Sequence, residues 1–102
     1  MGTTIDRERL QHLLAAESEG FVATHPVSAE LHQRALGPLI AGVPMNWMTR
    51  WPGGFPVFAD HAAGASITDV DGNTYVDLCL GATGAMTGHA PPAPIEALAR
   101  QA

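Results

Sequence analysis

Residues 67–81 read ITDVDGNTYVDLCLG, and this stretch decides the fold. Apolar and polar residues alternate on both sides of Asp71-Gly72-Asn73, as they do in half-buried strands. Asp-Gly is a preferred hairpin turn because glycine accepts a positive φ angle without strain from a Cβ atom. The stretch therefore predicts antiparallel strands over residues 65–69 and 74–80, with Gly72 at positive φ.

A further strand is predicted over residues 56–60, followed by a turn at 61–64, so that the chain forms a three-stranded antiparallel meander. In the last strand, alternation places Val76, Leu78 and Leu80 towards the core. Cys79 lies among these apolar residues and is predicted to be a buried, unreactive thiol.

Helices are predicted on both sides of the meander. Residues 4–19 have a short apolar stripe, with Thr4 as N-cap and Gly20 just beyond the end. Residues 26–36 form a second helix that ends at Gly37-Pro38, because proline cannot supply the next hydrogen bond. Pro92 suits the first position of a third helix. The predicted buried positions of the second helix are Leu31, Ala35 and Leu36.

Between the second helix and the meander, residues 37–58 are rich in proline, glycine and large apolar side chains, and Arg50 is the only charged residue. Such a segment cannot form a long helix, and it is too apolar for a solvated linker. It is expected to lie extended along a surface supplied by other protein.

The predicted fold class is α+β, with N-terminal helices, an extended apolar segment and the meander. We expect an N-terminal helical extension (1–24), a short helix and arm (25–54), the meander with its following loop (55–90) and the start of a further helix (91–102).

The composition excludes several classes of partner. The 102 residues carry a net charge of −5, which argues against nucleic acid and anionic membranes. No run approaches the roughly 20 apolar residues that span a bilayer. The single cysteine excludes an internal disulfide and favours a reducing, cytoplasmic setting. All five basic residues are arginines, so the sequence contains no lysine.

Few residues have the spacing of known chemical motifs. The run GATGAMTGHA (81–90) lacks the lysine and spacing of phosphate-binding loops, and a turn near some other ligand is favoured. The five histidines have no metal-ligand spacing, although His89 occupies a loop where a polar side chain could act. Asp69, Asp71 and Asp77 are interpreted as turn residues. We therefore predict no catalytic residue and no metal ligand in this chain.

Three stretches together resemble the N-terminal portion of class III, fold-type I aminotransferases, in the branch similar to glutamate-1-semialdehyde aminomutase. They are SAELHQRALGPLIAGV (28–43), FPVFADHAAGASITDVDGNTYVDLCLG (55–81) and TGHAPPAPIEAL (87–98). The segment PMNWMTRW (44–51) departs from the aminomutase pattern, which makes another amino-acid transaminase equally consistent with the resemblance.

The resemblance implies a homodimeric enzyme that binds pyridoxal 5'-phosphate and acts on a small amino or keto acid. The meander would belong to its small domain, and the chain would stop at the start of the large domain, before the Schiff-base lysine. The chain alone would then neither bind the cofactor nor catalyse. The alternatives are a free-standing binding module and one half of a split transaminase.

The candidate substrate-binding residues are Arg50, Thr83, Asn46 and Trp47. An amino-acid substrate presents a carboxylate, which arginine can hold through two parallel hydrogen bonds. The resemblance implies that the stretch around Arg50 borders the active site. The alternative is that Arg50 stacks on Trp47 or Trp51 and anchors the segment.

Overall fold

The computed structural model describes residues 4–50 and 52–102, which form three α-helices and one three-stranded antiparallel sheet. This confirms the predicted α+β class. The residues group into two compact units, Met1–Val57 and Phe58–Ala102. Two helices lie in the first unit, and the sheet and the third helix lie in the second. The predicted four-part division of the chain stays a prediction.

Helix α1 comprises Arg7–Thr24 and begins later than predicted. Its N-cap is Asp6 and not Thr4, since the Asp6 carboxylate accepts a hydrogen bond of 2.9 Å from the backbone N–H of Arg9. A carboxylate also interacts favourably with the positive end of the helix dipole, which explains why it serves as the cap.

The predicted end of α1 at Gly20 is wrong, because the helix continues for one further turn. Phe21 stacks on His25 with ring centroids 4.4 Å apart and packs against Phe55 at 4.9 Å. These contacts favour the extra turn, whereas a mid-helix glycine costs only about 1 kcal/mol.

Helix α2 comprises Pro26–Ala35 and ends, as predicted, just before Gly37-Pro38. Leu31 and Ala35 are half-buried, but Leu36 is exposed, in contrast to the prediction. The next segment is not simply extended, because Ile40–Gly42 and Asn46–Arg50 form short 3₁₀ helices. Gly42 makes the first of these possible: it has a φ of 70°, and an added Cβ would lie 2.7 Å from the His32 ring.

The sheet consists of β1 (Ala59–Ala63), β2 (Ser66–Asp69) and β3 (Thr74–Val76), paired in the order β1-β2-β3. Gly72 has a φ of 88°, which confirms the predicted turn between β2 and β3. The predicted turn at 61–64 is wrong, since His61 to Ala63 continue β1. Gly64, with a φ of 57°, allows a tighter reversal.

Strand β3 is shorter than predicted because the Asp77 side chain interrupts it. Asp77 Oδ1 accepts hydrogen bonds from the backbone N–H groups of Cys79 and Leu80, which turns the chain away from the sheet. Leu78 is therefore 91% exposed, Val76 and Leu80 are also exposed, and the prediction that these three face a core is wrong. Cys79 is exposed as well, so its predicted burial is also wrong.

Helix α3 comprises Pro92–Gln101 and confirms Pro92 as the first helical residue. Neither α3 nor any other helix in the described residues combines the length and apolar character that crossing a bilayer requires.

Candidate functional site

The hairpin is organised around the carboxylate of Asp69, which is 2% exposed. Its Oδ1 accepts hydrogen bonds from the backbone N–H groups of Asp71 (3.0 Å) and Asn73 (2.8 Å). Its Oδ2 accepts from the Tyr75 hydroxyl (2.7 Å) and the Asn73 side chain (3.1 Å). Asp69 thus satisfies donors along the whole turn, in agreement with its interpretation as a turn residue.

This arrangement shifts the pKa values of both Asp69 and Tyr75. Burial alone would raise the pKa of Asp69, but the hydrogen bonds from Tyr75, Asn73 and Asp71 outweigh it and hold this pKa below 3.8. Burial, together with the hydrogen bond and negative charge of Asp69, raises the pKa of Tyr75 to about 12. The pair therefore favours an ionised Asp69 and a neutral Tyr75.

Because Tyr75 is the only tyrosine, its titration can be followed without ambiguity. We expect the tyrosinate absorbance of the folded chain to rise with a midpoint at about pH 12, and that of the chain in denaturant at about pH 10. The stability contributed by neutral Tyr75 should be complete below pH 10 and lost between 10 and 12. Asp69→Asn should lower the midpoint of the tyrosinate titration. A midpoint of about pH 10 in the folded, unaltered chain would contradict the hydrogen bond between Tyr75 and Asp69.

A second acidic residue, Asp77, joins the two ends of the loop that follows β3. Asp77 Oδ2 lies 2.6 Å from His89 Nε2, and the side chains are 7% and 21% exposed respectively. The hydrogen bond from His89, followed by that from the Cys79 backbone, holds the pKa of Asp77 below 3.8. Sequence reasoning placed His89 in a loop but missed its pairing with Asp77. Only the alternation of β3 gave a signal, since it set Asp77 on the polar face.

Thr83 lies in this loop, exposed, with a φ of 84°. The loop does not form a phosphate cradle, because several of its backbone N–H groups already donate to carbonyl groups within it. These donors are Ala82, Gly84, Ala85 and Gly88. The run 81–90 is therefore a turn with internal hydrogen bonds that offers Thr83 at its surface.

The other three predicted substrate-binding residues occupy one 3₁₀ helix in the first unit, Asn46–Arg50. Asn46, Trp47 and Arg50 are all exposed, and the Trp47 side chain is 58% accessible. Arg50 forms no ion pair and no cation–π contact with Trp47 or any other described residue. The proposed stacking on Trp51 lies outside the described residues.

A cavity of about 230 Å³ opens beside the same 3₁₀ helix, within the first unit. Its lining includes His32, Val43, Met48, Thr49 and the Gly53-Gly54 pair. Its lining is polar and apolar in about equal parts and carries no carboxylate. The helix thus borders a space that suits an uncharged group.

Among the described residues, no three His, Cys, Asp or Glu side chains come together to hold a metal ion. His61 pairs only with the adjacent Asp60 at the surface, and His25 Nδ1 contacts the Phe21 carbonyl at 2.8 Å. These histidines have local partners of the ordinary kind.

No protein-family profile matches the chain. Similar proteins are nevertheless known. The glutamate-1-semialdehyde 2,1-aminomutase of Methanocella arvoryzae is 40% identical over 74 residues, which is 72% of this chain and 17% of that protein. The match thus spans less than a fifth of the length of this relative.

Solved structures show the same likeness. A glutamate-1-semialdehyde aminomutase from Pseudomonas aeruginosa, also solved as a variant with PMP, covers 97% of this chain with a TM-score of 0.86 and 41% identity. The match spans 22% of that protein. An omega-transaminase from Sphaerobacter thermophilus covers 72% of this chain, with a TM-score of 0.65 and 34% identity, over 16% of its own length.

With its α+β fold, the chain is a class III aminotransferase-like segment, corresponding to the N-terminal region of the fold-type I aminotransferases that depend on pyridoxal phosphate. Within this class, its relatives include glutamate-1-semialdehyde 2,1-aminomutases. The resemblance stated from the sequence is thereby confirmed.

Proposed function

We propose that the chain is the substrate-facing N-terminal part of a pyridoxal-phosphate-dependent enzyme, which transfers an amino group to or within an amino or keto acid. The observation that carries this proposal is the 41% identity to an aminomutase along 97% of the chain. Because the chain spans 22% of that protein, the remaining protein would supply the catalytic groups.

Pyridoxal phosphate, when bound, withdraws electrons from an amino acid and is held through a lysine amine. The described residues do not fit this cofactor. The sequence contains no lysine, and many backbone N–H groups of the glycine-rich loop are already used within it. We therefore assign the cofactor site to the rest of the enzyme and expect the chain alone to be inactive.

Arg50 is our first candidate for contact with the substrate carboxylate, and Thr83, Asn46 and Trp47 are further candidates. The exposed guanidinium of Arg50 has no anionic partner among the described residues, so it is free to bind one. The cavity beside Met48, which carries no carboxylate in its lining, would suit an uncharged side chain of the substrate.

The rest of the enzyme and a second subunit are the proposed protein partners, in a cytoplasmic homodimer. Large apolar side chains support this proposal, because they are accessible in both units: Ile40 is 94% exposed in the first, and Leu78 is 91% exposed in the second. Exposed apolar surface of this kind is typical of protein interfaces.

The proposal is tested by joining the chain to the aminomutase of Pseudomonas aeruginosa in place of the matching N-terminal segment. We expect the chimera to transfer amino groups from at least one amino acid. The chain alone should give no borohydride-trapped adduct with pyridoxal phosphate at an internal residue, because it has no lysine.

The control is the same aminomutase without any N-terminal segment, which should be inactive. A chimera that folds and shows the cofactor absorbance, but transfers no amino group from any amino acid tested, would overturn the proposed function. A trapped internal adduct on the chain alone would contradict the assignment of the cofactor site.

A further inference from the structure

The loop between β3 and α3 has a backbone that does not hold its shape by local preference. Leu80, Ala82 and Thr83 have φ angles of 56°, 51° and 84°, in the left-handed region. Residues with a Cβ atom are strained there, because the Cβ lies too close to the following carbonyl oxygen. Such a run persists only where its surroundings fix it, so the contacts around this loop determine its conformation.

At its start, the loop is fixed by Asp77. The backbone N–H of Asp77 donates to the Ala65 carbonyl at 2.8 Å, next to the β1–β2 turn. Its Oδ1 accepts the N–H groups of Cys79 and Leu80 at 2.8 and 2.9 Å. One residue therefore joins the first turn of the loop to the sheet.

At its end, the loop is fixed at the same β1–β2 turn. The backbones of His89 and Gly64 exchange hydrogen bonds of 2.8 and 3.0 Å. Gly88 packs so closely on Gly64 that an added Cβ would lie 3.3 Å from the Gly64 Cα. Both ends of the loop thus meet on one short piece of backbone.

The bond between His89 Nε2 and Asp77 Oδ2 joins these two ends directly. A carboxylate only accepts hydrogen bonds, so Nε2 is the donor. The pair is twelve residues apart in sequence and largely shielded from solvent. Asp60 and His61, by contrast, are adjacent and about two-thirds exposed, so their bond connects nothing distant.

We propose that Asp77 and His89 form a clasp that holds the loop 78–88 in the conformation that presents Thr83 to the substrate. His89 is then a positioning residue that acts through the loop. This inference rests on the proposed function for the role of Thr83, whereas the clasp itself is a property of the chain.

The clasp is tested by amide hydrogen exchange on the full chain. His89→Phe keeps a ring and removes the donor, and we expect exchange at Cys79, Leu80 and Ala85 to accelerate roughly tenfold or more. The amide of Asp69, in the hairpin, should keep its rate. His89→Gln, which retains an N–H donor, should restore much of the protection.

The control variant is His61→Phe, which should leave the loop unchanged. Unchanged exchange of the loop in His89→Phe would overturn the clasp. Equal acceleration in the hairpin would also overturn it, since His89 would then support the whole unit. These outcomes do not depend on the proposed function.

The positioning role is tested in the active chimera with Thr83→Ala, His89→Phe and the double variant. If His89 acts through Thr83, each single variant raises KM, kcat changes less, and the double variant is little worse than Thr83→Ala alone. If the effects of the two single variants multiply in the double variant, His89 does not act through Thr83, and this role is overturned. A chimera inactive with the unaltered chain would instead count against the proposed function.

Discussion

Replacing Asp69 by alanine is expected to destabilise the sheet unit by roughly 3 kcal/mol or more. The change removes the acceptor for the backbone N–H groups of Asp71 and Asn73 and for the Tyr75 hydroxyl. Part-buried donors left without a partner lose some of the solvation that they would have in the unfolded chain. Chemical denaturation of the chain measures the loss, and exchange of the Asp69 amide, which bonds to the Asn73 carbonyl, reports it locally.

The matched control is Asp60→Ala, which removes an acid of the same sheet whose side chain is 64% exposed. Exposed ion pairs contribute little, so this variant should change stability by less than about 1 kcal/mol. Asp69→Asn should fall between the two, because an amide oxygen still accepts from the backbone. Equal effects of the two alanine substitutions would contradict the central role of Asp69.

The same bonds determine how stability responds to acid. The pKa of Asp69 is below 3.8 in the folded chain, so its contribution is complete above that value and is lost as the pH falls through the lowered pKa. The Asp69→Asn variant should lose this part of the acid dependence. A variant with the same acid profile as the unaltered chain would show that other carboxylates control acid unfolding.

Replacing Arg50 by alanine in the chimera is expected to lower kcat/KM roughly ten- to 150-fold for amino donors that carry a carboxylate. This corresponds to a loss of roughly 1.5–3 kcal/mol of transition-state stabilisation. The physical reason is the loss of a charged, two-pronged hydrogen-bond donor. Simple amines should be affected much less, because they present no carboxylate. Arg50→Lys should recover only part of the activity, since an ammonium group lacks the planar fork.

Arg34 provides the control for Arg50, because it is also an exposed arginine of the first unit. Arg34→Ala should leave kcat/KM unchanged for both kinds of donor. A loss of equal size on acids and simple amines in Arg50→Ala would make Arg50 a structural anchor of its segment. Steady-state kinetics with matched amines and amino acids distinguish the two roles.

Local patterns in the sequence predicted those parts of the fold that depend on neighbouring residues. The Asp71-Gly72 turn, the end of α2 and the start of α3 each follow from backbone restrictions of glycine or proline, and the structure confirms them. The resemblance to the aminotransferases rested in part on the same hairpin. Local chemistry was sufficient in these places because few distant contacts compete with it.

The predictions that were wrong have the opposite cause. In those places distant contacts or side-chain contacts, and not local backbone preferences, determined the structure. The stacking of Phe21 against His25 and Phe55 carried α1 beyond Gly20. The Asp77 carboxylate ended β3 before the apolar alternation did, which left Leu78 and Cys79 exposed. The Asp77–His89 bond spans twelve residues and follows no short motif, so no local pattern in the sequence predicts it. The substrate-binding residues remain a prediction.

The closed base of the loop has a consequence for how this part of the chain can diverge. Asp77 and His89 bond to each other and to the adjacent backbones of Ala65 and Gly64, so the loop is closed where it leaves and rejoins the sheet. Loops closed in this way tolerate changes of length and composition at a cost that grows only slowly with added residues. A new amino acid at position 82, 83 or 86 would therefore alter the surface offered to a ligand, and the sheet would keep its register. Such a loop can acquire a new preference among small molecules by a few substitutions, without a new fold.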